Sequence, residues 1–212
     1  MKRILLLAAM CCSALFGSAQ VQWACEVEEC SQTYSSADTD YKPAAALGAP
    51  NVWETRPRAS AHSFLFGWDE KPDKEARGDV FIKVKFCTPQ QANRVAVVEN
   101  ANPGTITGIF LYDTNGKEYP VWSGTVNNTT APKRILEAVF ATTSYNVASM
   151  KVVGRPEKVD GWNCLDGFAI SNSTEPIDLP IKVENLGPNI NTKYTDSSPR
   201  ISPDGRTLYF IR

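Results

Sequence analysis

The feature that most constrains this chain is a two-residue rhythm of apolar side chains. Val80, Ile82, Val84 and Phe86 alternate with Phe81, Lys83 and Lys85. Only an extended strand puts alternate residues on one face, so one side is directed inward. Val95 and Val97 alternate with Arg94 and Ala96 in the same way. Further short strands are predicted over Ile106–Tyr112, Lys117–Trp122, Ile135–Phe140, Val147–Val153 and Leu165–Ser171. Asp113-Thr-Asn-Gly116 supplies a hairpin turn. Strands at this spacing, without long amphipathic helices, predict an all-β sandwich. A hydrophobic content of 42% is enough for its core. Pro43 to Leu47 fits one helical turn, stopped by Gly48 and Pro50. Residues 51–78, with Trp53, Phe64, Phe66 and Trp68 among charges and prolines, read as a long, partly packed loop. Ser171 to Pro180 reads as a linker.

Residues 1–19 have the pattern of a secretory signal: basic Lys2 and Arg3, an apolar run of 13 residues from Ile4 to Phe16, then Gly17-Ser18-Ala19 before Gln20. The run is shorter than the roughly 20 residues of a membrane span. Met10 before Cys11 argues against lipoprotein processing. No later segment has the length and apolarity to cross a bilayer as a helix. Removing Lys2 and Arg3 from 22 basic residues leaves 20 against 23 acidic ones, a net charge of −3. That balance gives no electrostatic basis for binding nucleic acid. Cys25, Cys30, Cys87 and Cys164 remain after cleavage, an even number suited to two disulfides in an exported chain. Three pairings are open, with Cys25–Cys30 and Cys87–Cys164 favoured by sequence proximity and by strand boundaries. With one histidine and no Cys-x-x-Cys, a zinc site is not indicated.

The C-terminal run contains Ser202-Pro203-Asp204-Gly205, a tight-turn sequence, followed by strand-forming Thr207 to Ile211. It resembles the blade hairpin of TolB-type β-propellers. Because a blade cannot bury its faces alone, the resemblance implies that residues 185–212 begin an incomplete propeller of a longer protein. A second resemblance covers residues 30–175. Ala46-Leu-Gly-Ala-Pro-Asn-Val52, Val97-Val-Glu-Asn100 with Asn102-Pro-Gly104, Leu111-Tyr-Asp113 with Gly116-Lys-Glu-Tyr119, and Gly161-Trp-Asn163 with Asp166-Gly-Phe-Ala-Ile-Ser171 carry it. These phrases resemble a galactose-binding-like (discoidin-related) jelly roll of bacterial envelope proteins. The organisation so implied is a signal at 1–19, a jelly roll at 20–176, a linker at 177–184 and a propeller start at 185–212. Proteins of this order often end in an OmpA-like peptidoglycan-binding domain, so the resemblance also implies a peptidoglycan contact through a domain outside this sequence.

Few residues point to catalysis. His62, between Ser60 and Ser63, lies in no recognisable nucleophile motif. Glu99 and Asp166 are the acids within the strongest phrases, and two carboxylates across a cleft can cleave glycosides. Their simpler reading is structural: Glu99-Asn100 with Asn102-Pro-Gly104 caps and turns a strand end, and Asp166 ties down a loop. Trp162 and Asn163 either offer a sugar an aromatic face and a polar edge or seal the sandwich end. Trp162, Asn163, Asp166, Glu99 and Asn100 form the candidate ligand-binding set, and no catalytic residue is assigned. The resemblance leaves room for a structural calcium near Asp38 and Asp40, but no compact acidic loop supports it and no cofactor is assigned. Asn127-Asn128-Thr129 and Asn172-Ser173-Thr174 read as polar loops. The resemblance thus implies an exported, non-enzymatic scaffold of the periplasm or outer membrane, binding a glycan or an envelope protein. The alternative is an accessory region of a secreted hydrolase whose catalytic domain lies beyond residue 212.

Overall fold

The computed structural model describes residues 21–31, 42–50, 64–67, 79–127, 129–131, 133–159, 161–179, 197–202 and 207–211. The chain divides into two units, Met1–Leu179 and Pro180–Arg212. The first is built from β1 (Val21–Trp23), β2 (Glu26–Cys30), β3 (Phe64–Gly67), β4 (Val80–Gln90), β5 (Arg94–Ala101), β6 (Ile106–Asp113), β7 (Glu118–Ser123), β8 (Arg134–Val139), β9 (Val147–Gly154) and β10 (Asn163–Ser171). One five-stranded sheet runs β1-β10-β5-β8, with β3 also paired to β10. The other runs β2-β4-β9-β6-β7. All pairings are antiparallel.

The alternation read from the sequence places the core. Val84 and Phe86 of β4, Leu111 of β6 and Met150 of β9 meet Val97 of β5 and Phe168 of β10 in one buried cluster between the sheets. β5 goes further than its alternation suggests and is buried at every position. Its outer face carries a second cluster, in which Ala96 and Ala169 pack with Ile177, flanked by Val21, Trp23 and Ile135. Ile177 lies where a linker was expected. It is held there because its N–H donates to Glu137 Oε1 at 3.0 Å, and Arg94 bridges Glu137 at 2.9 Å and the carbonyl of Thr174 at 2.9 Å. On the outer face of the second sheet, Lys83 and Lys151 are direct cross-strand partners. Like charges so placed repel; Glu28 at 3.1 Å from Lys83 and Glu118 at 3.4 Å from Lys151 offset that repulsion.

Further features differ from the sequence reading. Residues 21–30, where no strand is predicted, contribute β1 and β2, and the stretch 51–78 contributes β3, paired with β10. The cysteine pairing also differs: Cys25 is bridged to Cys87, 62 residues away, which excludes both Cys25–Cys30 and Cys87–Cys164. The cause is β2 itself. Five residues of extended chain set Cys25 and Cys30 about 16 Å apart, far beyond the reach of a disulfide. The register Glu26↔Lys85 brings Cys25 alongside Cys87 instead. Cys164 sits in the other sheet, beside Ala101. The Pro43–Ala46 turn forms as expected, as a 3₁₀ turn whose chain leaves through Gly48 at φ 82°.

In the second unit, β11 (Ser197–Ile201) and β12 (Leu208–Ile211) pair antiparallel. Ser202 N–H donates to the Thr207 carbonyl at 2.8 Å, and Ser202 Oγ accepts from Thr207 N–H at 2.9 Å. The Pro203-Asp-Gly205 turn and the signal at 1–19 lie outside the described residues.

Closing a long loop makes the Cys25–Cys87 bridge worth roughly 2–4 kcal/mol. Cys87→Ser is expected to lower the unfolding free energy in urea by that amount, and non-reducing peptide mapping should recover a peptide pair joined through these two residues.

Candidate functional site

The sandwich has one end where the chemistry collects. β5 ends, β6 begins, β9 ends and β10 begins there, so the loops 102–105 and 155–162 lie side by side with the 124–133 connection from β7 to β8. Four of the five candidate ligand-binding residues, Glu99, Asn100, Trp162 and Asn163, are at this end, and Asp166 follows shortly along β10.

A buried polar frame fixes these loops. Glu99 points inward at the end of the core and is 1% exposed. Its Oε2 accepts from Arg134 Nε at 2.6 Å and its Oε1 accepts from Gly104 N–H at 2.8 Å. A buried carboxylate needs such donors, since an unpaired one costs several kcal/mol. Asn102 takes a left-handed conformation, φ 40°, which asparagine tolerates better than most residues. Its Nδ2 donates to the Trp162 carbonyl at 2.8 Å, while Asn163 Nδ2 donates to the Asn102 carbonyl at 2.9 Å. This reciprocal pair stitches the 102–105 loop to the start of β10. Gly104 has φ 114°, and a Cβ there would lie 1.9 Å from the Asn127 carbonyl oxygen. Only glycine allows that approach, and Asn127 N–H donates back to the Gly104 carbonyl at 3.0 Å.

Outside the frame lies an open cleft of about 440 Å³, lined by Asp79, Thr107, Gly124, Thr125, Val126, Arg155 and Lys158. Its walls hang on the 104–107 stretch: Arg155 N–H donates to the Thr105 carbonyl at 2.8 Å and Gly124 N–H to the Thr107 carbonyl at 3.0 Å. Asp79 Oδ1 accepts from Arg155 Nε at 2.5 Å, and both side chains are about half exposed. That bond, with the nearby negative charge, holds the Arg155 guanidinium above its already high pKa. Lys158 is exposed at the rim and has no ion pair among the described residues. Carboxylate, guanidinium, ammonium and two hydroxyls together can donate to and accept from a polar ligand of sugar size.

The candidates named from sequence divide accordingly. Glu99, Asn100, Asn163 and Asp166 are buried, so their side chains face protein. Asn163 and Asp166 are not loop residues: Asn163 starts β10, and Asp166 stands in that strand at its register shift between Leu165 and Gly167. Trp162 is in the loop before β10 and half-buried. Trp122 on β7 packs partly against the core. His62, Asp38, Asp40, Trp53 and Trp68 lie outside the described residues. Asp79, Arg155 and Lys158 escaped the sequence reading because they sit in no motif and 76 residues separate the ion-paired partners.

Among solved structures, the chain is similar to chitosan-binding module 1 of a chitosanase/glucanase from Paenibacillus sp. IK-5, with 15% identity and a TM-score of 0.40 over 72% of this chain and 92% of that one. It is also similar to the family 32 carbohydrate-binding module of Streptococcus pneumoniae EndoD (7% identity, TM-score 0.45, 68% and 92% covered). A family 32 module of C. perfringens NanJ, solved with galactose, gives 11% identity, a TM-score of 0.41 and coverages of 72% and 99%. No protein-family model matches the sequence, and no curated protein matches it. These are distant likenesses, so the account of the site rests on its own residues.

The frame makes a sharp contrast between two glycines. Gly48 has φ 82° with no atom within 4 Å of an added Cβ, so Gly48→Ala is expected to cost about 1–2 kcal/mol of backbone strain. Gly104→Ala adds the collision with Asn127 and should cost roughly 3 kcal/mol or more. Urea unfolding of the two variants measures the difference.

Proposed function

We propose that the sandwich is a non-enzymatic binding module that takes a glycan into the cleft at its loop end. The observation that carries this reading is the cleft's exposed Asp79–Arg155 pair, set among Thr107, Thr125 and Lys158. A sugar hydroxyl is both donor and acceptor, and neighbouring hydroxyls are best met by fixed acceptors and donors side by side. An ion pair this exposed is screened by solvent and contributes little stability of its own. Its free oxygen and amino groups therefore remain available to a ligand at small cost. Among the described residues the cleft is lined by one carboxylate, already paired, whereas glycoside hydrolysis uses two across the bond. Glu99 does not supply the second, because its oxygens are committed to Arg134 and Gly104.

The same reading takes residues 1–19 as an export signal to a bacterial envelope, with the periplasm or outer membrane as the destination. Residues 185–212 would open a propeller offering a protein-binding surface, and a further peptidoglycan-binding domain would complete the scaffold. These are proposals drawn from the sequence phrases.

The test is a glycan array probed with the full chain. At least one glycan is expected to bind, and Arg155→Ala and Asp79→Asn should each weaken it about tenfold, the loss of a hydrogen bond to a charged group. Binding that ignores both substitutions would remove the cleft from the account. Failure to bind any glycan would remove the ligand class.

A further inference from the structure

We infer that Glu99 is the positioning residue of the cleft: it fixes both ends of the β7–β8 connection and so sets where the cleft walls stand, without touching a ligand. The inference rests on the reading of that cleft as the ligand site and extends the strand-end role that the sequence suggests for Glu99 to the walls of the cleft.

The connections run outward from one carboxylate. Through Oε2, Glu99 holds Arg134, the first residue of β8, at 2.6 Å. Through Oε1 it holds Gly104 N–H at 2.8 Å. Gly104 in turn accepts from Asn127 N–H at 3.0 Å. Asn127 follows Gly124, Thr125 and Val126, which line the cleft. The start and the end of the 124–133 connection are thus tied to the same buried group. The opposite wall depends on it at one remove, because Arg155 N–H is bonded to the carbonyl of Thr105, next to Gly104. Glu99 is 1% exposed, whereas Asp79 and Arg155 are about half exposed. The group that positions the walls is therefore separate from the groups that meet solvent.

The carboxylate is essential to this role for a simple reason. It offers two acceptor oxygens to two donors, whereas an amide offers one acceptor and brings two donors of its own. Glu99→Gln can serve Gly104 or Arg134, not both, and leaves a donor facing a donor. Replacing Arg134 with leucine as well removes the conflicting donor and lets the one amide oxygen left at position 99 serve Gly104.

Amide hydrogen exchange on the full chain tests this without any ligand. Glu99→Gln is expected to speed exchange over 102–107 and 124–135 by roughly tenfold or more, while the strand centres of β4, β6 and β9 keep their wild-type rates. Adding Arg134→Leu should return residues 102–107 and 124–127 towards wild-type rates. A uniform change along the chain, unchanged rates over the two loops, or no recovery in the double variant would overturn the inference. Should Glu99→Gln fail to fold, Arg134→Gln, at a position 28% exposed, is expected to speed exchange over 124–135 alone, and an unchanged rate there would overturn it equally. The glycan array reports on the ligand reading separately, so the failure of one is distinguishable from the failure of the other.

Discussion

A carboxylate buried where two sheets close is the constraint on which this end of the molecule depends. The interior between the sheets is apolar from Phe86 and Leu111 to Phe168, and Glu99 stands at its end with its charge removed from water. Such a charge is tolerable only when its lone pairs are filled. Filling them draws Arg134 from the neighbouring strand and the Gly104 amide from the next loop. The backbone then has to turn sharply through Asn102 and Gly104, both at positive φ. Loop geometry at this end is thus a consequence of one ionised group meeting its donors.

Much of this was legible in the letters. The two-residue rhythm of 80–86 announces β4, and the later strands fall close to their predicted spans, because half-buried antiparallel strands carry that signal plainly. Glu99 with Asn102 and Gly104 was readable as a strand-end turn, and that is their work. The rest was hidden for physical reasons. β2 is Glu26-Val-Glu-Glu-Cys30, an edge strand with most side chains in water, so it shows no apolar alternation. Missing it, sequence proximity made Cys30 look like the natural partner of Cys25. Ile177 reads as linker because its burial comes from hydrogen bonds made by Arg94 and Glu137, far back in the chain. The Asp79–Arg155 pair leaves no local pattern at all.

The proposed function gives the division between frame and cleft a purpose. Glu99, Arg134, Gly104, Asn102 and Asn163 hold one another in position, while the groups that would meet a ligand on the proposed reading lie outside in an exposed ion pair. Rigid support beneath adaptable polar contacts lowers the ordering cost of binding. The other polar surface, the lysines and acids on the outer face of the second sheet, is spent on itself: Lys83 pairs with Glu28 and lies 4.0 Å over the Tyr112 ring, and Lys151 pairs with Glu118. On that face these lysines and acids already have partners.

The most direct measurement is chemical-shift mapping of the isotope-labelled full chain titrated with a glycan selected on the array. The account predicts that the amides of 79, 107, 124–126, 155, 157 and 158 move together. Shifts confined to the far end of the sandwich, around 113–117 and 141–146, or to the outer face at Lys83 and Lys151, would contradict it.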